Sequence, residues 1–191
     1  MSLYAALLIA ALALILVYGI VVYNGLVAVK HNVSKAWSNI DILLKQRHDE
    51  LPKLIEVCKQ YRQFEQDTLQ RVIEARAKVF SASQSADVTA LGTAESTLRS
   101  GLGQLFAVAE SYPELKTNEQ FLNLQQRITM LEDAISDRRE FYNDSVNINN
   151  VRIEQFPELI VAGMFDFQRR ALLKFPDADK ADVPVKQLFA A

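Results

Sequence analysis

The chain begins with an apolar run that has no polar face. Leu3 to Val22 is almost wholly Ala, Leu, Ile and Val, and the first charged side chain is Lys30. A helix of about 20 residues crosses a hydrocarbon core of about 30 Å, since each residue adds roughly 1.5 Å. A buried helix of a soluble protein would show a polar stripe, which this run lacks. The pattern therefore predicts a transmembrane helix over residues 1–25.

A cleaved signal peptide is the main alternative to a retained anchor. Such a peptide needs a basic n-region and small residues at its cleavage site. No Lys or Arg precedes the apolar run, and Tyr23–Gly25 would make a poor cleavage site. We therefore expect the helix to stay attached to the rest of the chain.

Past this run, hydrophobic residues recur at steps of four and three, as they do on one face of a helix. The stripe comprises Val33, Trp37, Ile40, Leu44, Leu51, Leu54, Cys58, Tyr61, Val72, Ala75 and Val79. It keeps its phase across Pro52, which removes the hydrogen bond to the carbonyl of His48. The stripe predicts one long helix over about residues 26–82 with a kink at Pro52. A helix that restarts there, with Asp49 as its cap, is the alternative.

Further amphipathic segments follow. Apolar residues at helical spacing predict helices over about residues 87–110 and 117–155, each ended by an aromatic–proline pair, and a short apolar helix near residues 159–167. No segment alternates as a strand would. We therefore predict an all-α chain, in which the transmembrane helix precedes an antiparallel bundle of three to four long helices over residues 26–170. Residues 171–191 are expected to form a C-terminal tail.

All charged residues lie within residues 30–191, so this part of the chain carries the net charge of −2. A nearly neutral balance argues against nucleic acid as a partner. The charges that directly follow the apolar run are basic, namely Lys30 and Lys35. The positive-inside rule therefore predicts a very short N-terminus outside and residues 30–191 in the cytoplasm. The single cysteine, Cys58, agrees, because it allows no disulfide framework.

No residue pattern points to catalysis or to a bound cofactor. His31 and His48 lie outside any zinc-ligand spacing, and the sequence has no Gly-rich phosphate loop, nucleophile elbow or di-iron motif. His48 with Asp49 is the strongest candidate pair, yet one His-Asp dipeptide is more typical of a polar layer at the Pro52 kink. We therefore expect no enzyme, no cofactor and no metal site.

Polar residues within the apolar stripes are more informative candidates. The set is Arg47, His48, Asp49, Glu132, Arg139 and Tyr142. Arg47 falls on the apolar phase of the first helix, and the last three residues share one face of the third. Because a buried charge must be paired, we predict a structural polar layer that joins Arg47, His48 or Asp49 to Glu132 or Arg139 and fixes the register of the helices. Solvated charges at the helix edges are the alternative.

A series of short motifs extends over residues 23–165. The motifs are Tyr23-Asn24, Ala36-Trp37-Ser38, Arg47-His48-Asp49 with Pro52, Glu74-Ala75-Arg76-Ala77, Tyr112-Pro113-Glu114-Leu115-Lys116, Tyr142-Asn143 and Phe156-Pro157. In this combination the chain resembles the LemA family. Phe64 and Asn149 depart from the family pattern, which more often has His and an aromatic residue there. The resemblance implies a membrane-anchored bacterial protein with a long helical cytoplasmic domain, often encoded near membrane proteases or other membrane proteins.

Two functions from different classes follow. The first is a non-enzymatic scaffold or adaptor at the inner membrane, whose partners are the lipid bilayer, further copies of the chain, and membrane proteins or proteases. Self-association is expected because a long seven-residue stripe and an Ala-rich anchor both favour helix pairing. The alternative is an enzyme or small-ligand-binding domain centred on His48, Asp49 and Arg139. A third hypothesis is a sensor that shifts about Pro52 when the anchor moves.

Overall fold

In a computed structural model, which describes residues 3–61 and 64–174, the chain is all-helical. Over those residues the helices are α1 (Leu3–Lys59), α2 (Gln66–Gln84), α3 (Val88–Ala109), α4 (Pro113–Lys116), α5 (Glu119–Glu154) and α6 (Glu158–Met164). The prediction of an all-α chain with a long apolar helix at its N-terminus is confirmed. Of the predicted tail, everything after residue 174 lies outside the described residues.

Helix α1 is a single element of 57 residues, about 85 Å long at roughly 1.5 Å per residue. It contains both the apolar N-terminal run and the first part of the stripe, and it continues through Pro52 to Lys59. The prediction of one helix over residues 26–82 is therefore wrong, as is a restart at Pro52 capped by Asp49. The chain leaves the helix after Lys59 and becomes helical again only at Gln66.

The chain divides into two compact units, and each is described by itself. The second unit contains Asp41–Ser136 together with Leu173–Ala191, described as far as residue 174. In it α2 packs against α3 after a short connection over residues 85–87. Arg71 near the start of α2 donates to Gln104 near the end of α3 over 3.2 Å, so these two helices are antiparallel.

Leucine and isoleucine side chains from four helices form the core of the second unit. Those buried include Leu44, Leu51 and Leu54 of α1, Leu69 of α2, Leu91, Leu98 and Leu105 of α3, and Ile128 of α5. The stripe residues of α1 thus face other segments of the same chain. The seven-residue pattern is explained by this internal packing, and it does not leave a free seam for a second copy.

The first unit contains Met1–Ile40 and Asp137–Leu172. Here α1 and α5 run antiparallel, because Leu26 clusters with Ile153 while Trp37 packs on Tyr142 with ring centroids 5.6 Å apart. Helix α6, the short helix expected near residues 159–167, joins the same cluster through Ala162. This unit therefore assembles around the part of α1 that directly follows the apolar run.

Candidate functional site

A buried polar cluster in the second unit is centred on Arg47. This residue is 1% exposed, and its guanidinium donates to the carboxylates of Glu95 and Glu132. Arg99 adds a second cation, whose Nε lies 3.5 Å from Oε2 of Glu132. Arg47 belongs to α1, Glu95 and Arg99 to α3, and Glu132 to α5. The cluster, called here the Arg47 cluster, therefore connects three helices.

Burial and charge act against each other in the Arg47 cluster. Burial lowers the pKa of Arg47, but the two carboxylates outweigh it, and the resulting pKa is raised above the ordinary arginine value. For Glu95 burial is the largest influence and raises the pKa, while Arg47 opposes it and Glu132 adds to it. Arg47 therefore stays charged, and Glu95 takes up a proton at a higher pH than an exposed glutamate would.

The predicted set lacks two members of this cluster, Arg99 and the more deeply buried Glu95. Glu95 occupies an apolar position of α3, four residues after Leu91 and three before Leu98, both of which are buried. A charged residue in phase with an apolar stripe is the same signal that singles out Arg47. That signal could therefore have identified Glu95, although the sequence does not say which cation it meets.

A second polar cluster accounts for the passage of α1 through Pro52. Proline has no backbone N–H, so the carbonyl of His48, four residues earlier, lacks its helical donor. Arg76 of α2 supplies one, since its Nε donates to this carbonyl over 3.0 Å. Its Nη2 also lies 2.6 Å from Nε2 of the His48 ring. Arg76 is absent from the predicted set, although it belongs to the Glu74-Ala75-Arg76-Ala77 motif.

His48 is held on two sides. Its ring stacks on Phe80 with centroids 4.5 Å apart, and its Nε2 faces Arg76. Burial and the Arg76 charge both lower the pKa of His48, against a smaller opposing influence of Asp49. The ring is therefore neutral at pH 7, with Nε2 as the acceptor from Arg76.

Acidification is expected to destabilise the chain through His48. In the folded chain the pKa of His48 lies below the ordinary value of 6.5, so the unfolded chain binds the proton first as the pH falls. The contribution of His48 to the free energy of unfolding is therefore complete above pH 6.5 and is lost as the pH falls through the folded pKa. We expect the urea midpoint of the wild-type chain to fall more steeply, from about pH 7 to about pH 5, than that of His48→Gln, whose amide oxygen can still accept from Arg76. The exposed position His31 provides the control, and His31→Gln should follow the wild type. Equal slopes for all three proteins would contradict the assignment.

Three residues of the predicted set remain, namely Asp49, Arg139 and Tyr142. Asp49 is exposed on α1, and Arg139 and Tyr142 belong to the first compact unit. The hydroxyl of Tyr142 donates to the carbonyl of Ala171 over 3.0 Å, and burial raises the pKa of this phenol. Of the predicted set, the structure therefore pairs Arg47 with Glu132. The role of the set in fixing helix register stays a prediction.

The chemistry of both clusters is that of charges paired within the protein. The Glu95 and Glu132 carboxylates are held by Arg47, and the Arg76 guanidinium is engaged by His48. Within residues 3–61 and 64–174, no three His, Cys, Asp or Glu side chains are grouped so that they could hold a metal ion. The arrangement holds helices of the second unit against one another.

Fold and site together define a class of protein. It is an all-helical chain with an N-terminal helix long and apolar enough to cross a membrane, followed by helices joined through buried ion pairs. The model of the LemA family matches residues 36–187. The chain therefore belongs to the LemA family, and the resemblance read from the short motifs is confirmed.

Individual relatives are distant but extend over most of the chain. Protein LemA of Metamycoplasma hominis is 27% identical over 165 residues, which cover 86% of this chain and 74% of that protein. Magnetosome protein MamQ 2 of Paramagnetospirillum magneticum is 20% identical over 190 residues, covering 87% of this chain and 70% of its own length. Magnetosome protein MamQ of Magnetospirillum gryphiswaldense is 20% identical over 186 residues, with 85% and 68% covered.

Proposed function

We propose that this chain is a non-enzymatic helical scaffold, anchored in a bacterial inner membrane by the first part of α1. The observation that carries the proposal is the exposure of the apolar run. Its large side chains, among them Leu7, Leu12 and Ile15, lie exposed on helix α1, whose later residues are buried against other helices. An exposed apolar surface of this extent is not stable in water, whereas a hydrocarbon core accommodates it.

Membership of the LemA family and likeness to magnetosome proteins both support a membrane setting. The orientation is argued from charge. Within this sequence no charged side chain precedes Lys30, and the positive-inside rule assigns the basic residues directly after the run to the cytoplasmic side. The body, from residue 30 onward, is accordingly assigned to the cytoplasm.

Reporter fusions test both anchoring and orientation. Green fluorescent protein at the C-terminus of the full chain is expected to fluoresce in the membrane fraction, and alkaline phosphatase at the same position is expected to be inactive. The matched control is the chain from residue 30 onward with the same reporters, which should lose its membrane association. An active phosphatase fusion of the full chain would contradict the proposed orientation. Fluorescence of the full-length fusion in the soluble fraction would contradict the proposed anchoring.

Self-association is the second component of the proposal. Its support is the anchor, in which Ala6, Ala10 and Ala13 form an exposed stripe of small residues, the kind of surface along which membrane helices approach closely. The stripe of the body does not add to this support, because its members are buried within the chain. We expect the intact complex in mild detergent to have a mass of more than one copy, and Ala10→Leu to reduce it, with Ile15→Leu as the control. A strict monomer would contradict self-association.

The contacts of the described residues weigh against an enzyme or ligand site centred on His48, Asp49 and Arg139. His48 is engaged by Arg76 and Phe80, and Asp49 is exposed. We therefore do not propose it as a second function.

A further inference from the structure

The short helix α6 has apolar side chains on both of its faces. Ala162, with Val161 beside it, packs into the cluster formed by Val22, Leu26 and Ile153. The opposite face and the flanking residues are also apolar and lie exposed: Phe156, Leu159, Ile160, Met164 and Phe165. A surface helix normally covers one apolar face and leaves a polar one to water. A second apolar surface therefore needs an explanation.

The position of α6 along α1 indicates what covers this surface. The residues of α1 that it touches, Val22 and Leu26, lie where the apolar run ends. The ring of Tyr23, at the same level, lies 4.7 Å from that of Phe165 and 5.9 Å from that of Phe167, measured between centroids. When α1 spans a bilayer, these contacts place α6 at the membrane surface, where aromatic side chains concentrate.

Charged side chains lie next to the exposed apolar surface of α6, among them Lys30, which follows the apolar run of α1. Lys30 Nζ lies 5.8 Å from the centroid of the Phe167 ring, eight residues after Val22 on α1. Arg152 pairs with Glu158 over 3.1 Å. Basic side chains just beyond an aromatic belt suit lipid head groups, and the pairing of Glu158 reduces the cost of bringing its carboxylate near them.

We propose that residues 156–165 form an interfacial element that lies in the same leaflet into which α1 emerges, with its outer apolar face inserted among lipid chains. The occupant of this face is the lipid bilayer, because the surface is continuous with the membrane-spanning part of α1. A helix of this kind is inserted about 5–10 Å, to the boundary of head groups and acyl chains. The inference rests on the proposed anchoring of α1.

Spin labels on single introduced cysteines test the depth of α6 in full-length protein reconstituted in phosphatidylcholine–phosphatidylglycerol vesicles. The native Cys58 can remain, because it is buried and burial raises the pKa of its thiol to about 12, which suppresses labelling at neutral pH. The labelled positions are Ile160→Cys and Met164→Cys on α6, with Ile15→Cys as the reference within the bilayer. Phe141→Cys is the matched control, since Phe141 is 51% exposed and Ile160 54%, and both are in the same unit.

The readout is the ratio of collisions with oxygen, which partitions into lipid, to collisions with a water-soluble nickel chelate. We expect the ratio at both α6 positions to exceed that at Phe141 several-fold and to lie below that at Ile15. Helix α5 places Phe141 about 18 Å from the level of Ile153, so its label should remain in water. Two α6 positions guard against a label that disturbs one of them.

Three results would overturn the inference. If Ile15 is in lipid and both α6 labels match Phe141, the anchor stands and the interfacial element is wrong. If the α6 labels are shielded from both reagents and show dipolar broadening, a second copy covers the face instead of lipid. If Ile15 itself is exposed to the nickel chelate, the anchoring fails and this inference fails with it.

Discussion

Replacement of Arg47 by methionine is expected to destabilise the folded chain by about 3–5 kcal/mol, because it removes the cation that pairs with the buried carboxylate of Glu95 and leaves Glu132 with Arg99. Glu95 is 3% exposed, so water cannot replace the lost guanidinium. Urea unfolding of the full chain in detergent, followed by circular dichroism, measures the loss as a lower midpoint. Burial raises the pKa of Glu95, so acidification protonates this carboxyl and removes the unpaired charge. The difference in urea midpoint between variant and wild type should therefore become smaller as the pH falls.

Two further proteins make the Arg47 result interpretable. Arg127→Met removes a guanidinium that also pairs with a buried glutamate, Glu50. The side chain of Arg127 is 59% exposed and Lys53 still pairs with Glu50 over 3.0 Å, so we expect a change within about 0.5 kcal/mol. The triple variant Arg47→Met, Glu95→Leu and Glu132→Leu replaces Arg47 and both of its carboxylate partners by apolar groups. It leaves only Arg99, which is 39% exposed, and it should recover most of the lost stability. If Arg47→Met is as mild as Arg127→Met, the buried pairing is not energetically important.

The extents of three helices follow from periodicity alone. The predictions for residues 87–110 and 117–155 differ from α3 and α5 by one or two residues at each end, and the short helix expected near residues 159–167 is α6. In each case local signals agree with one another, since an apolar stripe is bounded by capping residues or by proline. The apolar run likewise predicts its own helix, because no charge interrupts it.

The path of the chain between residues 26 and 82 could not be predicted in the same way. The stripe keeps its phase across residues 60–65, so periodicity gives no sign that the helix ends at Lys59. At Pro52 the local rule allows either a kinked helix or a break, and the helix continues without a break, with Arg76 as donor to the carbonyl of His48. That donor is supplied from 28 residues away, and a contact at this separation is a property of the fold rather than of the local sequence.

The site shows the same division between local and long-range information. A charge in phase with an apolar stripe marks Arg47 and would have marked Glu95, because burial follows from helix phase. The pairing of the two depends on how three helices pack, which periodicity leaves open. The neighbouring Asp49 suggests a catalytic role for His48 in the sequence. The groups that hold the His48 ring are instead Arg76 and Phe80, on another helix.

The first part of helix α1 is expected to lie in lipid, so charges placed there should prevent its insertion into the membrane. Leu8 and Leu12 are exposed one turn apart near the middle of the apolar run. An arginine at the centre of a membrane helix costs about 2.5–3.5 kcal/mol in insertion, so Leu8→Arg with Leu12→Arg should cost about 5–7 kcal/mol. We expect the double variant to move from the carbonate-washed membrane fraction to the supernatant, with the circular dichroism of its body unchanged.

A control on the same helix separates insertion from folding. Ile42 is also an exposed apolar residue of α1, 56% exposed, but it lies beyond the apolar run. Ile42→Arg should therefore stay in the membrane pellet, as should Leu8→Ile with Leu12→Ile, because neither change introduces charge into the spanning segment. Retention of the double arginine variant in the washed membrane, together with these controls, would mean that the first part of α1 is not what holds this protein to lipid. Binding to the membrane would then have to be assigned to another surface of the protein.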